Sequence, residues 1–174
     1  MNIEIRKATA NDASKVIDFC KKVGSETDNL SYGSEGIGSN IDRISKYLDN
    51  VYNSNTSVFL IAIIDNEVVG YAEFMGMFRK RLSHLGEIGI AVIKEYQNKK
   101  IGSNLMKQLI YYVKNDINAE IIELKVRVDN EKAINMYKKF GFKKIGCYEN
   151  YLKVNDKYFD CDIMTLYLKW WLNL

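Results

Sequence analysis

The stretch from Leu85 to Met106 constrains the fold of this chain more than any other part of the sequence. It begins with an apolar, β-branched run from Glu87 to Ile93, which is typical of a strand covered on both faces. The polar segment from Lys94 to Lys100 follows, and apolar residues then recur at four-residue steps from Ile101 to Leu109. That spacing is typical of an amphipathic helix. The sequence therefore predicts a buried strand, a short polar loop and a helix in direct succession.

The start of this helix predicts a phosphate-binding site. A helix that opens on Gly102 and Ser103 leaves backbone N–H groups without helical partners at the positive end of its dipole. Lys99 and Lys100 add positive charge to the same concavity, a combination that binds phosphate. Two common phosphate-binding loops are disfavoured. No Gly-Lys-Ser/Thr of a P-loop follows the strand, and Gln97 to Gly102 lacks the Gly-x-Gly-x-x-Gly of a dinucleotide fold.

The loop resembles motif A of the GNAT acetyltransferase superfamily, which reads Gln/Arg-x-x-Gly-x-Gly/Ala after a strand. The corresponding residues in this chain are Gln97, Asn98, Lys99, Lys100, Ile101 and Gly102. Lys100 stands where the family usually has its first glycine. If that position needs a positive φ or a close approach to phosphate, a lysine costs free energy there. Its ammonium group offsets part of that cost by pairing with the pyrophosphate.

A second segment resembles motif B of the same superfamily, Asn-x-x-Ala-x-x-x-Tyr-x-x-x-Gly-Phe. It follows a strand predicted from Glu123 to Val128 and consists of Asn130, Ala133, Tyr137, Gly141 and Phe142. The two motifs, the chain length and the order of elements make the chain similar to a GNAT N-acetyltransferase over nearly its whole length. The resemblance implies transfer of an acetyl group from acetyl-CoA to a primary amine of a small molecule or peptide, by direct attack within a ternary complex.

The rest of the sequence predicts the fold class. Alternation and helical spacing give the order β, α, α, β, β, β, α, β, α, β, β. This order indicates an α/β (α+β) fold with a mixed, mostly antiparallel sheet of seven strands and four flanking helices, as in GNAT proteins. No repeat or linker divides the chain, so residues 1–174 are predicted to form a single domain. Trp170 and Trp171 are expected to pack on the sheet or on a second subunit, which leaves a homodimer open.

Local signals predict the ends of the first two helices. Thr9 with Asp12 forms the pattern of a capping box before the first helix, and Gly24 is predicted to end that helix. Ser39 with Asp42 is predicted to open the second helix.

Composition narrows the partners and the compartment. With 47% hydrophobic residues, 27% charged residues and a net charge of +3, the chain suits an anionic ligand but lacks the basic stripe of a nucleic-acid-binding protein. The three cysteines have no CxxC or nearby histidine spacing, so neither a disulfide scaffold nor a metal site is expected. The longest apolar run, Val58 to Ile64, is too short to span a membrane, and no apolar leader follows the N-terminus. A cytoplasmic protein without membrane partners is therefore expected.

The resemblance implies which residues bind acetyl-CoA. Backbone N–H groups between Asn98 and Ser103 are expected to bind the pyrophosphate. The strand near Ile90 to Val92 is expected to pair with the pantetheine arm and to polarise the thioester carbonyl. The predicted cofactor-binding residues are Ile90, Ala91, Val92, Gln97, Asn98, Lys99, Lys100, Ile101, Gly102, Ser103, Asn130, Ala133 and Tyr137.

Two residues are predicted to be catalytic. Tyr137 matches the tyrosine of motif B and is expected to protonate the departing thiolate, although a tyrosine at this spacing also fills a helix face. An alkylamine with a pKa of about 10.4 must lose a proton before it attacks. Glu87 is the candidate base, with Glu73 on the preceding strand as the alternative. A salt bridge or a solvent-facing position would explain Glu87 without catalysis.

The acceptor is less defined. The polar loop from Ser25 to Gly38 lies where GNAT enzymes shape the acceptor pocket, and its acidic residues either attract a cationic amine or form a solvated surface. The alternative to an enzyme is a GNAT-fold domain that binds acyl-CoA without turnover and serves as a sensor, an interpretation that Lys100 supports.

Overall fold

The computed structural model describes residues 2–168. Within these residues the predicted order of seven strands and four α-helices is confirmed. The elements are β1 (Glu4–Lys7), α1 (Ala13–Glu26), α2 (Ile41–Tyr52), β2 (Ser57–Ile64), β3 (Glu67–Gly76), β4 (Leu85–Val92), α3 (Ile101–Tyr112), β5 (Ile121–Arg127), α4 (Glu131–Lys139), β6 (Lys143–Val154) and β7 (Lys157–Tyr167). The predicted packing of Trp170 and Trp171 lies outside the described residues.

The strands form one sheet in the order β1-β2-β3-β4-β5-β7-β6. Among the described strands, β4 and β5 are parallel and all other neighbours are antiparallel, which confirms a mixed, mostly antiparallel sheet. A parallel pair needs a crossover, and α3 provides it. No helix among residues 2–168 is long and apolar enough to cross a membrane.

The helices cover both faces of the sheet. On one face, Phe19 of α1 meets the Tyr71 ring edge-on at 5.7 Å between centroids, and Tyr47 of α2 meets Phe59 at 6.3 Å. On the other face, α3 packs so closely that a Cβ atom at Gly70 would lie 3.1 Å from the side chain of Leu105. Every residue of β2 is buried between these layers, as expected of a strand covered on both faces.

The parallel pair opens toward the C-terminal ends of its strands. Strands β4 and β5 are paired at three positions, and the last pair joins Glu87 to Glu123. Beyond that pair β5 remains paired with β7 as far as Arg127, while β4 remains paired with β3 as far as Val92. Among the described residues, the edge of β4 that faces β5 therefore has no strand partner over 88–92. This separation creates a slot in the middle of the sheet.

Two local predictions were wrong and one is confirmed. The N-cap of α2 is Asn40 rather than Ser39, because the Asn40 side chain accepts a hydrogen bond from the Arg43 amide. Gly24 does not end α1, which continues to Glu26. A Cβ atom there would lie 1.9 Å from the carbonyl oxygen of Gly33, so the glycine is needed for close approach of the following loop. The capping box of Thr9 and Asp12 is present, on the 3₁₀ turn that leads into α1.

Candidate active site

A cavity of about 440 Å³ lies where β4 and β5 separate. Its walls are the end of β4, the loop that follows, the first turns of α3 and α4, and the end of α1 with the next loop. All of the predicted cofactor-binding residues except Lys99 line it: Ile90, Ala91, Val92, Gln97, Asn98, Lys100, Ile101, Gly102, Ser103, Asn130, Ala133 and Tyr137. The ammonium group of Lys99 instead lies over the Tyr96 ring, 4.7 Å from its centroid.

The first turn of α3 lines this cavity and has backbone amides without a hydrogen-bond acceptor among residues 2–168. The first helical bond of α3 runs from the Asn104 amide to the Lys100 carbonyl at 3.0 Å. The amides of Ile101, Gly102 and Ser103 precede that bond, and no side chain caps the helix. Three such donors at the positive end of a helix dipole are the arrangement that binds anions in proteins, and the phosphate site stays a prediction.

Lys100 has the backbone conformation that usually favours glycine. Its φ is 63° and its ψ is 8°, which is the left-handed region. Asn98 also has a φ of 63°. The sequence analysis expected a lysine to cost free energy here if the position needs a positive φ, and the φ of Lys100 is positive. The loop thus keeps its turn with a lysine in place of the glycine.

Gln97 fixes the loop to its neighbours. Its side-chain Nε2 donates to the Val92 carbonyl at 3.1 Å, and its Oε1 accepts from Lys132 Nζ at 2.7 Å. The end of β4 is thus tied to the start of α4 through one side chain. Gln97 was predicted to bind the cofactor, and the structure gives it two bonds within the protein as well as a place on the cavity wall.

Glu26 closes the opposite side of the cavity. Its Oε2 accepts a hydrogen bond from the Lys94 amide at 2.6 Å, which joins the end of α1 to the end of β4. From the sequence, Glu26 belongs to the acidic residues of the Ser25–Gly38 loop, which either attract a cationic amine or form a solvated surface. Because its partner is 68 residues away, no local signal in the sequence indicates this contact.

Tyr137 of α4 lines the cavity and is otherwise buried. It is 8% exposed, and its ring packs against Phe142 at 5.7 Å between centroids. Burial raises the pKa of Tyr137 above its usual value, so the hydroxyl keeps its proton at neutral pH. Among the described residues the hydroxyl has no hydrogen-bonding partner, so it is available to a ligand.

The two candidate carboxylates have different surroundings. Glu87 Oε2 accepts from Lys125 Nζ at 2.7 Å, and the Glu87 side chain is 41% exposed. This ion pair is the non-catalytic explanation considered for Glu87. Neither Glu87 nor Glu73 lines the cavity. Glu73 is more enclosed, and its Oε2 accepts from the Tyr47 hydroxyl at 3.1 Å. Burial raises the pKa of Glu73; the bond from Tyr47 opposes this shift, and the charge of Glu87 adds to it.

Comparison of the sequence with known proteins finds acetyltransferases. Residues 31–142 match the model of the acetyltransferase (GNAT) family. The chain is 38% identical over 106 residues to the L-amino acid N-acetyltransferase AaaT of Escherichia coli, a match that covers 61% of this chain and 65% of that relative. The chain thus spans less than two thirds of the length of this curated relative.

Solved structures share the fold. The acetyltransferase of the GNAT family from Streptococcus pneumoniae superposes with a TM-score of 0.92 at 26% identity, over 96% of this chain and 99% of that one. The phosphinothricin acetyltransferase from Sinorhizobium meliloti, solved in complex with acetyl-CoA, superposes with a TM-score of 0.81 at 17% identity, over 97% and 89% of the two chains. The family match contains both sequence motifs and the residues from β4 to α4 that surround the cavity, and the chain therefore belongs to the acetyltransferase (GNAT) family.

Proposed function

We propose that this chain is an acetyl-CoA-dependent N-acetyltransferase that acetylates a primary amine of a small molecule or peptide by direct attack in a ternary complex. One observation carries the proposal. The slot between β4 and β5, the uncapped N-terminus of α3 and Tyr137 all border a single cavity. A phosphate site, an extended slot and a proton donor are the parts that this reaction needs.

The slot accounts for binding of the co-substrate. The pyrophosphate would accept hydrogen bonds from the amides of Ile101, Gly102 and Ser103. The pantetheine arm, which carries amide groups, would pair with the unpaired edge of β4 at Ile90–Val92. Backbone N–H groups of that edge would polarise the thioester carbonyl without reorganising. The complex of the Sinorhizobium meliloti relative with acetyl-CoA supports this choice of ligand.

The reaction needs one group that gives a proton and one that takes a proton. The amine nitrogen forms a bond to the acetyl carbon, and the carbon–sulfur bond breaks. Tyr137 would supply the proton that the departing thiolate takes up, because the residue lines the cavity and its hydroxyl remains protonated at neutral pH. A carboxylate on the sheet, Glu87 or Glu73, would take the proton of the incoming ammonium group.

The acceptor is proposed only as a class. The Escherichia coli relative is named for L-amino acids, which supports small α-amino or alkylamino compounds as the first acceptors to examine. Short peptides with free N-termini form the second group.

A binding module without turnover is the competing function, and Lys100 is the observation that favours it. Its left-handed conformation shows that the loop keeps its shape with a lysine in the glycine position, while the long side chain lines the cavity. Binding of acetyl-CoA is common to both functions, so only turnover separates them.

The experiment measures acetyl-CoA binding by calorimetry and free-thiol release with L-amino acids, alkylamines, polyamines and short peptides. We expect binding, and thiol release that depends on at least one amine. Binding without amine-dependent release would favour the sensor function. No binding would remove both functions.

A further inference from the structure

The end of α1 joins the ends of the two separating strands. Glu26, the last residue of α1, accepts from the Lys94 amide just beyond the end of β4. Arg127, the last residue of β5, donates from Nη1 to the Asp28 carbonyl at 3.2 Å. The short stretch from Glu26 to Asp28 therefore spans the mouth of the slot between β4 and β5.

The chain that follows α1 lies between two cavities. We call residues 27–31 the strap. Thr27, Asn29 and Leu30 line the cavity that borders the slot. A second cavity, of about 550 Å³, is lined in part by Asp28 and Asn29. Since Asn29 borders both cavities, the strap forms part of the wall between them.

Few hydrogen bonds hold the strap in place. Within it, Thr27 Oγ1 accepts from the backbone amide and the side-chain nitrogen of Asn29, which makes a local turn. Among the described residues, the bond from Arg127 to the Asp28 carbonyl is the one hydrogen bond that joins residues 28–31 to another element. A segment with so few bonds to its surroundings opens at a low cost in free energy.

The ends of the strap are better fixed than its middle. The helix before it is bound to Lys94 through Glu26, and the backbone turns from helical to extended at Thr27. At the other end, Leu30 packs partly against the core. Asp28 and Asn29 can therefore move away from Arg127 without a change in α1 or in the core.

Arg127 itself is held rigidly. Its Nε donates to Asp129 Oδ1 at 2.9 Å, and its Nη2 donates to Asp129 Oδ2 at 2.5 Å. The guanidinium carbon lies 3.7 Å from the centroid of the Phe159 ring, and the side chain is 10% exposed. These contacts fix the direction of Nη1, because a guanidinium group is planar. Arg127 is thus the fixed side of the contact, and the strap is the side that can move.

We propose that the strap closes over the pantetheine arm of acetyl-CoA and that Arg127 is the positioning residue that holds it closed. This inference rests on the acyl-CoA binding that the proposed function includes. The arm would lie in the slot, against Thr27 and Asn29 on the inner side of the strap. The second cavity gives the strap room to move outward when its bond to Arg127 breaks.

The contact with Arg127 should act on release of the co-substrate. With the pyrophosphate at the first turn of α3 and the arm under a closed strap, the arm leaves the slot only along its length. An open strap also lets the arm leave sideways. Breaking the contact should therefore change the dissociation rate more than the association rate.

The test measures dissociation of CoA and of acetyl-CoA from the full-length protein by stopped flow. Arg127→Lys keeps a positive charge beside Asp129, but lysine lacks the planar fork that also reaches the Asp28 carbonyl. A hydrogen bond from a charged donor is worth a factor of about ten, so we expect about tenfold faster dissociation with little change in the association rate. Arg81→Lys makes the same substitution at an exposed arginine and should match the wild type.

Asp129→Asn distinguishes closure of the strap from stability. This variant keeps Arg127 and its bond to Asp28 but removes the negative charge that pairs with the guanidinium group. We expect lower stability in urea unfolding, with a smaller change in the dissociation rate than in Arg127→Lys. A dissociation rate that follows stability across the two variants would show that Arg127 only stabilises the fold, and would contradict the proposal.

Hydrogen exchange observes the strap directly. Without ligand, the amides of residues 28–31 should exchange faster in Arg127→Lys than in the wild type. Saturating CoA should slow the exchange of these amides in the wild type, because the strap closes. The amides of α2, which does not border the cavity, are the internal control. Strap amides that exchange equally with and without CoA would contradict closure.

The outcomes separate this inference from the proposed function. A wild type that binds no CoA would remove both. A wild type that binds CoA, with an Arg127→Lys variant that releases CoA at the wild-type rate, would remove the role of Arg127 alone. A higher KM for the amine together with unchanged CoA release would place the strap at the acceptor, which also contradicts the proposal.

Discussion

The first turns of α3 and α4 face the same cavity, but only one of them is capped by its own chain. The side chain of Asn130 accepts from the Ala133 amide at 3.2 Å and closes α4. No side chain caps α3, and the residue before it, Lys100, is in the left-handed conformation. Unpaired first-turn amides attract anions. The first turn of α3 is therefore suited to bind an anionic ligand, whereas the cap of α4 stabilises the fold.

This difference predicts different roles for the two helices. Changes at the start of α3 should alter ligand binding, whereas changes in α4 should alter turnover or stability. The four expected outcomes below test that division, in order of decreasing effect.

Tyr137→Phe should separate turnover from binding. We expect kcat to fall by about 100-fold, because the thiolate loses its proton donor, while acetyl-CoA affinity changes little. Steady-state rates and calorimetry measure the two effects. Tyr111→Phe, on the exposed side of α3, is the control and should keep the wild-type rate. A loss of affinity equal to the loss of rate would assign Tyr137 to binding.

Ser103→Asp should weaken binding and stabilise the fold at once. A negative charge near the pyrophosphate should lower acetyl-CoA affinity by about tenfold. The same charge in the first turn of α3 should raise the free energy of unfolding by about 0.5 kcal/mol through the helix dipole. Calorimetry and urea unfolding measure these changes, and Ser103→Asn is the uncharged control. Unchanged affinity in Ser103→Asp would place the phosphates elsewhere.

Asn130→Ala removes the cap of α4. We expect the free energy of unfolding to fall by about 1 kcal/mol, because the Ala133 amide loses its acceptor. Urea unfolding measures the loss. Asn135→Ala, an exposed position within α4, makes the same substitution without a cap and should not destabilise the protein. Equal effects at the two positions would mean that the cap contributes nothing.

Lys100→Gly should relieve backbone strain. The left-handed conformation costs a lysine about 1–2 kcal/mol. Glycine also makes the unfolded chain more flexible, which lowers the free energy of unfolding by about 0.5–1 kcal/mol. A net stabilisation of about 0.5 kcal/mol is therefore expected from urea unfolding. Lys99→Gly has no left-handed conformation to relieve and should destabilise. A stability loss in Lys100→Gly would show that the lysine side chain holds the loop.

The sequence predicted those features that depend on local patterns. The strand, loop and helix from Leu85 onward follow from runs and spacings within a few residues. Most motif residues line the cavity, and their binding of acetyl-CoA stays a prediction. Adjacent alternatives were harder to separate. Ser39 and Asn40 are both good N-cap residues. Asn40 is the N-cap because its side chain accepts the hydrogen bond from the Arg43 amide.

Features that depend on distant contacts escaped prediction. Gly24 was interpreted as a helix end because glycine commonly ends helices. Its actual role, the close approach to Gly33, depends on how the loop after α1 folds back. The contact of Glu26 with Lys94 spans 68 residues. The position of Glu73 opposite Gly89 depends on the register of β3 against β4, since a shift of one residue would place Glu73 on the other face.

A crystal structure with CoA bound tests the central claim most directly. We expect the pyrophosphate oxygens to lie within about 3.2 Å of the backbone nitrogens of Ile101, Gly102 and Ser103, with the pantetheine arm in the slot beside Ile90–Val92. A pyrophosphate bound away from the first turn of α3, or a slot that closes by pairing of β4 with β5, would contradict the claim.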